Sequence, residues 1–143
     1  MTGVQTCALP ISDGYFVSGD LSVLAPDGRV SIVGRAKDLI ITGGFNVYPK
    51  EIEDELNALP GVAESAVIGV AHADFGEGVI AVVTPLPDAK LQSEAEIIGH
   101  LAGRLAKFKL PKRVFQIIDL PRNAMGKVQK AELRSVYGRT FVK

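Results

Sequence analysis

The sequence has no tryptophan and a single cysteine, Cys7, in 143 residues. One thiol closes no disulfide, so the fold must rest on its core rather than on crosslinks, and a reducing cytoplasm is the expected compartment. Histidine is scarce too. His72 and His100 are the 2 present, and neither has a partner at metal-ligand spacing. They read as a loop residue and a helix-surface residue, and no metal site is expected. Charge of one sign is also missing, because 16 Lys and Arg offset 16 Asp and Glu. The electrostatic footprint of a nucleic-acid or anionic-membrane partner is therefore absent. No apolar run approaches the roughly 18–20 residues that span a bilayer. What is present, 47% apolar and 22% charged residues, suits one globular domain with its own core.

The first residues stand apart from the rest. Thr2 to Ile11, TGVQTCALPI, show no periodicity and resemble the translation of a sequencing-library adapter read in one frame. Residues 1–12 are accordingly expected to be a non-native leader, with the native chain starting inside a longer protein.

Beyond them, a turn at Pro26-Asp27-Gly28 between Val23-Leu24 and Val30-Ser31-Ile32-Val33 predicts a β-hairpin. Leu39-Ile40-Ile41 is a short apolar strand, and Thr42 to Asn46 a loop whose adjacent glycines permit backbone angles closed to other residues. Pro49 suits a first helical turn, and Glu51, Glu53 and Asp54 suit the positive end of the helix dipole. Ile52, Leu56 and Leu59 recur as one buried stripe, the acidic run Glu51 to Glu55 reads as the exposed face, and Pro60-Gly61 stops the helix. Residues 66–70 and 78–83 are apolar runs of strand length. The loop between them carries His72, Asp74, Phe75, Gly76 and Glu77. Ser93 and Glu96 stand at capping-box spacing and open a helix that buries Ile97, Leu101 and Leu105. Residues 114–118 form a further strand, Leu120 to Lys127 an irregular loop, and Lys130 to about Tyr137 a closing helix. Phe108 and Phe115 read as core. This order predicts an α+β fold: an N-terminal β-hairpin followed by a small, roughly three-stranded sheet packed with helices.

Three loops carry residues fit for chemistry. Tyr15-Phe16-Val17-Ser18-Gly19-Asp20 ends on a carboxylate after a glycine, which by itself is ordinarily a turn. Gly43-Gly44 can expose backbone N–H groups to a phosphate or admit a narrow ligand close to the main chain. Lys127 follows Gly126 just before the last helix, where a lysine is ordinarily solvated. Taken singly, none decides a function.

Their order does. Tyr-Phe-Val-Ser-Gly-Asp (15–20), Gly-Arg-Ala-Lys-Asp (34–38), Gly-Gly-Phe-Asn-Val-Tyr-Pro-Lys-Glu-Ile-Glu (43–53) and Pro-Arg-Asn-Ala-Met-Gly-Lys (121–127) resemble the C-terminal motifs of the adenylate-forming superfamily. That superfamily comprises acyl-CoA synthetases, luciferase and the adenylation domains of peptide synthetases. The resemblance spans about residues 13–138, and its phrasing is most similar to malonyl-CoA synthetases and related acyl-CoA synthetases. It implies a hairpin segment at 13–36, preceding the hinge, and a mobile lid at 37–143.

The chemistry implied is the joining of a carboxylic acid to CoA at the expense of ATP, as in fatty-acid or malonate metabolism. A carboxylate attacks the α-phosphate of ATP, and the CoA thiol then displaces AMP. By the resemblance, Asp20 holds the ribose hydroxyls, Arg35 reaches the ribose or phosphate side, and Asn46 faces the nucleotide or acyl group. Lys37 is the hinge, where many relatives carry Asp. Gly43 and Gly44 line the pantetheine path, and Lys127 bridges the carboxylate and α-phosphate during adenylation. Lys107, Lys109, Lys112 and Arg113 either meet the CoA phosphates or form a solvated, domain-docking stretch. Nothing here resembles the family's phosphate loop or its adenine and acyl pockets. The resemblance therefore implies an enzyme fragment, inactive alone, whose partner is an N-terminal domain that binds ATP with Mg. Two rivals are the lid of a peptide-synthetase adenylation domain and a non-catalytic binding module that keeps the lid fold.

Overall fold

The computed structural model describes residues 11–142. The chain divides into two compact units between Lys37 and Asp38. Most of the expected leader, residues 1–10, lies outside the described residues; Ile11 and Ser12 are in a strand.

In the first unit, Ile11–Ser12 (β1) pairs antiparallel with Tyr15–Phe16 (β2). Asp20–Leu24 (β3) and Val30–Arg35 (β4) form the expected hairpin. Its turn is closed by hydrogen bonds from Ala25 N–H to the Arg29 carbonyl at 2.8 Å and from Gly28 N–H to the Ala25 carbonyl at 2.9 Å.

The second unit is the expected α+β layer, but its sheet has five strands where about three were expected. Val62–His72 (β7) and Gly76–Pro85 (β8) form a long antiparallel hairpin in the middle. Arg113–Gln116 (β9) runs parallel to β8 along Ile80 to Val83. The extra strands come from Ile40–Thr42 (β5) and Phe45–Val47 (β6), which pair with each other and touch β8 where Thr42 meets Gly76. Residues 45–46 read as loop in the sequence because the strand is so short; its partner, not its composition, makes it one.

Three helices cover the sheet among the described residues: α1 (Pro49–Asn57), α2 (Glu94–Ala102) and α3 (Lys130–Tyr137). Side chains alternate across a strand, so β7 and β8 feed two cores. Val67, Val79, Ala81 and Val83 pack with Ile52 and Leu56 of α1 and Ile97 and Leu101 of α2. Ala66, Ile68, Val70, Ile80 and Val82 pack with Leu120 and with Leu133 of α3. With both faces covered, these strands read as unbroken apolar runs rather than as alternating ones.

Four side-chain readings change. Ile118, counted with the last strand, is 96% exposed, because the ladder to β8 ends at Gln116. Glu53 is not on an open acidic face. Its carboxylate accepts from Val67 N–H at 2.9 Å and pairs with Lys130 at 2.6 Å, both side chains being 18% exposed. Leu105 lies beyond the end of α2 and is half-buried against the first core. His72 ends β7 instead of sitting in a loop, with its ring between Phe75 and Phe141 at 4.8 and 4.9 Å.

The helix starts are local. The capping box of α2 forms as expected: Ser93 Oγ accepts from Glu96 N–H at 3.4 Å, while the Glu96 carboxylate accepts from Ser93 N–H at 2.8 Å and from its hydroxyl at 2.6 Å. These bonds hold the Glu96 carboxyl below the ordinary glutamate range. Replacing Ser93 by Ala is expected to cost roughly 1 kcal/mol at neutral pH, the usual loss of an N-cap. A group with a depressed folded pKa stabilises above its unfolded value and stops doing so as pH falls through the folded one. Thermal melts should thus show the gap between wild type and Ser93→Ala narrowing below the glutamate range, and a gap constant down to pH 2 would contradict this assignment of the cap.

Candidate functional site

Asp20 and Arg35, both in the first unit, are brought together. They are register partners across β3 and β4, with Arg35 Nε 2.9 Å from Asp20 Oδ1. Arg35 Nη1 also donates to the Ser18 carbonyl at 3.4 Å, and Asp20 N–H to Ser18 Oγ at 3.2 Å. The pair orients a carboxylate that keeps free lone pairs, since one carboxylate has about four acceptor sites. Ala36 N–H donates to the Gly19 carbonyl at 2.8 Å. Lys37 follows in a single 3-10 turn, Ala36–Asp38, with its side chain exposed. On its other side, Asp38 is held by Arg134 of α3 at 2.8 Å.

Gly43 and Gly44 form the two-residue turn between β5 and β6, at φ +55° and +82°. Two successive positive φ values are the pattern of a type I′ hairpin turn, which side-chain-bearing residues resist. Gly43 N–H donates to the Phe75 carbonyl at 2.9 Å. Around the turn lies a pocket of about 170 Å³ bordered by Phe45, Phe75, Lys107, Phe108 and Lys112. Phe45 stacks on Phe108 with centroids 4.5 Å apart, and the Lys112 ammonium sits 4.0 Å above the Phe75 ring. Two of the four basic candidates are engaged elsewhere, Lys109 by Glu51 at 2.7 Å and Arg113 by Glu94 at 3.0 Å. Asn46 is exposed on β6, opposite Ile41.

The Lys127 loop is stapled from within. Asn123 Oδ1 accepts from Met125 N–H at 3.0 Å and from Lys127 N–H at 2.9 Å. Arg122 Nη1 donates to the Gly126 carbonyl at 2.7 Å, while its other arm pairs with Glu64. That leaves the Lys127 side chain exposed on a fixed backbone. Asn123 was legible in principle, as an Asx-type residue inside a turn. The Arg122–Glu64 and Lys112–Phe75 contacts had no local signal.

The loop and the glycine turn belong to opposite ends of β7. Glu64, which holds the Lys127 loop, precedes His72 by eight residues, roughly 26 Å at about 3.3 Å per residue. Phe75, which holds Gly43, lies just beyond His72. Among the described residues, no three His, Cys, Asp or Glu side chains gather as a metal site, and no helix is long and apolar enough to cross a membrane.

A two-core α+β unit with a stapled lysine loop at one end and a glycine turn at the other defines a C-terminal domain of the adenylate-forming class. The match to known families agrees: residues 51–127 fit the AMP-binding enzyme C-terminal domain, and the chain belongs to that family. It is 41% identical over 140 residues to indoleacetate–CoA ligase of Aromatoleum aromaticum, covering 97% of this chain and 27% of the relative. It is 42% identical over 131 residues to a long-chain-fatty-acid–CoA ligase of Mycobacterium tuberculosis, covering 92% and 26%. Among solved structures, ATP-bound MatB from Rhodopseudomonas palustris is similar at 56% identity and a TM-score of 0.85, over 96% of this chain and 27% of that one. The chain thus spans about a quarter of the length of these relatives.

Proposed function

We propose that this chain is the moving lid of an AMP-forming acyl-CoA synthetase, working with a larger N-terminal domain that supplies the adenine, acyl and phosphate-loop sites. The observation that carries the reading is the separation of Lys127 and Gly43-Gly44 to opposite ends of one unit whose boundary falls at Lys37. Turning that unit about Lys37 exchanges the end offered to the substrates. The chain is tied on both sides of Lys37, by the Ala36 N–H bond to the Gly19 carbonyl and by the side-chain pair of Asp38 with Arg134, so a rotation concentrates at that residue.

In the first half-reaction a carboxylate oxygen attacks the α-phosphorus of ATP and pyrophosphate leaves. Negative charge gathers between the two reactants, and the Lys127 ammonium meets it from a loop already held by Asn123 and Arg122, so little reorganisation is needed. Asp20, oriented by Arg35, accepts from the ribose hydroxyls, and Arg35 and Asn46 supply further polar contact to the nucleotide or acyl group. In the second half the CoA sulfur attacks the acyl carbon and AMP leaves. Gly43 and Gly44 border the pantetheine arm, and Lys107 and Lys112 lie where its phosphates can be met. Mg would arrive with ATP and be held mainly by the larger domain.

Relatives named as CoA ligases favour free CoA over the carrier-protein arm of a peptide synthetase, and the complete motif set gives no support to a binding module without catalysis. A cytoplasmic setting follows from the same reading. The full-length protein should release pyrophosphate only with ATP and a carboxylic acid, and form thioester when CoA is added. The isolated chain should do neither and should show no micromolar affinity for ATP, because a partial site leaves the entropy of association poorly offset. Micromolar ATP binding by this chain alone, measured by calorimetry, would sink the two-domain reading.

A further inference from the structure

The Gly43-Gly44 turn hangs from the sheet by little backbone. β5 meets β8 at a single pair, Thr42 with Gly76, and Gly43 N–H adds one bond to the Phe75 carbonyl. At Ile41 the amide faces a side chain instead of a strand: it donates to the Glu77 carboxylate, Oε2, at 2.7 Å. A carboxylate accepting from a backbone amide makes a stronger bond than a neutral carbonyl. It stands here where the next ladder bond would be.

Gly69 explains how that carboxylate fits. A Cβ at this position would lie 2.8 Å from Glu77 Oε1 and 2.9 Å from Ile40 Cγ2. Both are closer than real Cβ atoms come. Gly69 is not among the positive-φ glycines, so backbone geometry does not demand it. What demands it is chiefly the space taken by the buried, branched Ile40, while the end of the longer Glu77 side chain uses the room that is left. Glu77 is itself half-buried at the start of β8. Gly69 pairs with Val79 and Glu77 with Ala71, so the two are diagonal neighbours on the β7–β8 hairpin, and the Glu77 side chain leans over Gly69.

We propose that Glu77 is a positioning residue for thioester formation: seated against Gly69, its carboxylate replaces the missing β5–β8 ladder and fixes the glycine turn beside Phe75. The proposal rests on the reading of that turn as the border of the pantetheine path. Glu77 touches no substrate; it acts through Ile41 and the strand leading into Gly43.

Two measurements test it. In the 143-residue chain, amide hydrogen exchange at Ile41 and Gly43 should quicken about tenfold or more in Glu77→Ala, the size of one lost hydrogen bond to a charged group. Glu77→Gln, which keeps an acceptor, should restore most of the protection, and the exchange of Val67 under α1 should not change. In the full-length enzyme, Glu77→Ala should raise the KM for CoA by a similar factor relative to the rate of pyrophosphate release, again with recovery in Glu77→Gln. Unchanged exchange at Ile41 and Gly43 overturns the anchor, whatever happens to CoA. Equal losses in both half-reactions, with no recovery by Gln, also overturn it and leave Glu77 a merely structural residue. Faster exchange with an unaltered KM for CoA keeps the anchor and overturns the pantetheine reading of the turn, so the two failures are distinguishable.

Discussion

Lys127→Ala in the full-length enzyme is expected to slow pyrophosphate release by roughly 10²–10³-fold, the 2.7–4 kcal/mol typical of losing one preorganised electrostatic donor. The loop should survive the change. Its backbone is held by the Asn123 side chain and by Arg122, and the Lys127 side chain makes no contact that the fold needs. Thioester formation from a supplied acyl-adenylate should therefore persist, because that half is proposed to use the other end of the unit. Gly44→Leu should show the opposite pattern. A Cβ at Gly44 meets no protein atom within 4 Å, so the leucine side chain extends into the open space beside the turn, where the pantetheine arm is proposed to run. The positive φ of +82° adds strain of about 1–2 kcal/mol, which a unit with two cores can absorb. Pyrophosphate release reads the first half, and thioester yield from synthetic adenylate reads the second. If each variant depresses both halves alike, the assignment of the two ends to two half-reactions is wrong.

The largest effect on stability is expected from Ile80→Ala, at about 2–5 kcal/mol, or a fall in melting temperature of the order of 10–20 °C. Ile80 is fully buried in mid-β8, pairs with Ile68, and belongs to the core that seats Leu133 of α3. Truncating it opens a cavity between strands that cannot close, since β8 is hydrogen-bonded on both edges there. Ile118→Ala is the control. Its side chain is already in solvent, and a surface change of this kind should stay within about 0.5 kcal/mol. Calorimetric melts giving comparable losses for the two would show the burial of the last strand to be misassigned.

That pair of isoleucines illustrates where sequence reading stops. Both sit in apolar runs of strand length, and the residue type is the same. What separates them is the register of β9 on β8, which ends the ladder before Ile118. The same limit hid Glu53, which shares its acidic run with the exposed Glu51 and Asp54 but reaches Val67 and Lys130. It also hid Arg122 and Glu64, 58 positions apart, and the space at Gly69 that Ile40 and the end of Glu77 take up.

The three helices were legible from the sequence. Pro49, the Ser93–Glu96 box and the 3.6-residue stripes act within a turn or two of themselves, and local interactions of that range depend little on the rest of the chain. The ordered motifs were legible for a related reason, because each of their loops is built by its own glycines and by short-range bonds such as those of Asn123. Tertiary structure decided which strands pair, which end of the sheet holds each loop, and which carboxylates leave the surface. Strand pairing joins residues tens of positions apart, and its free energy comes from partners and burial that exist only once the layers have met.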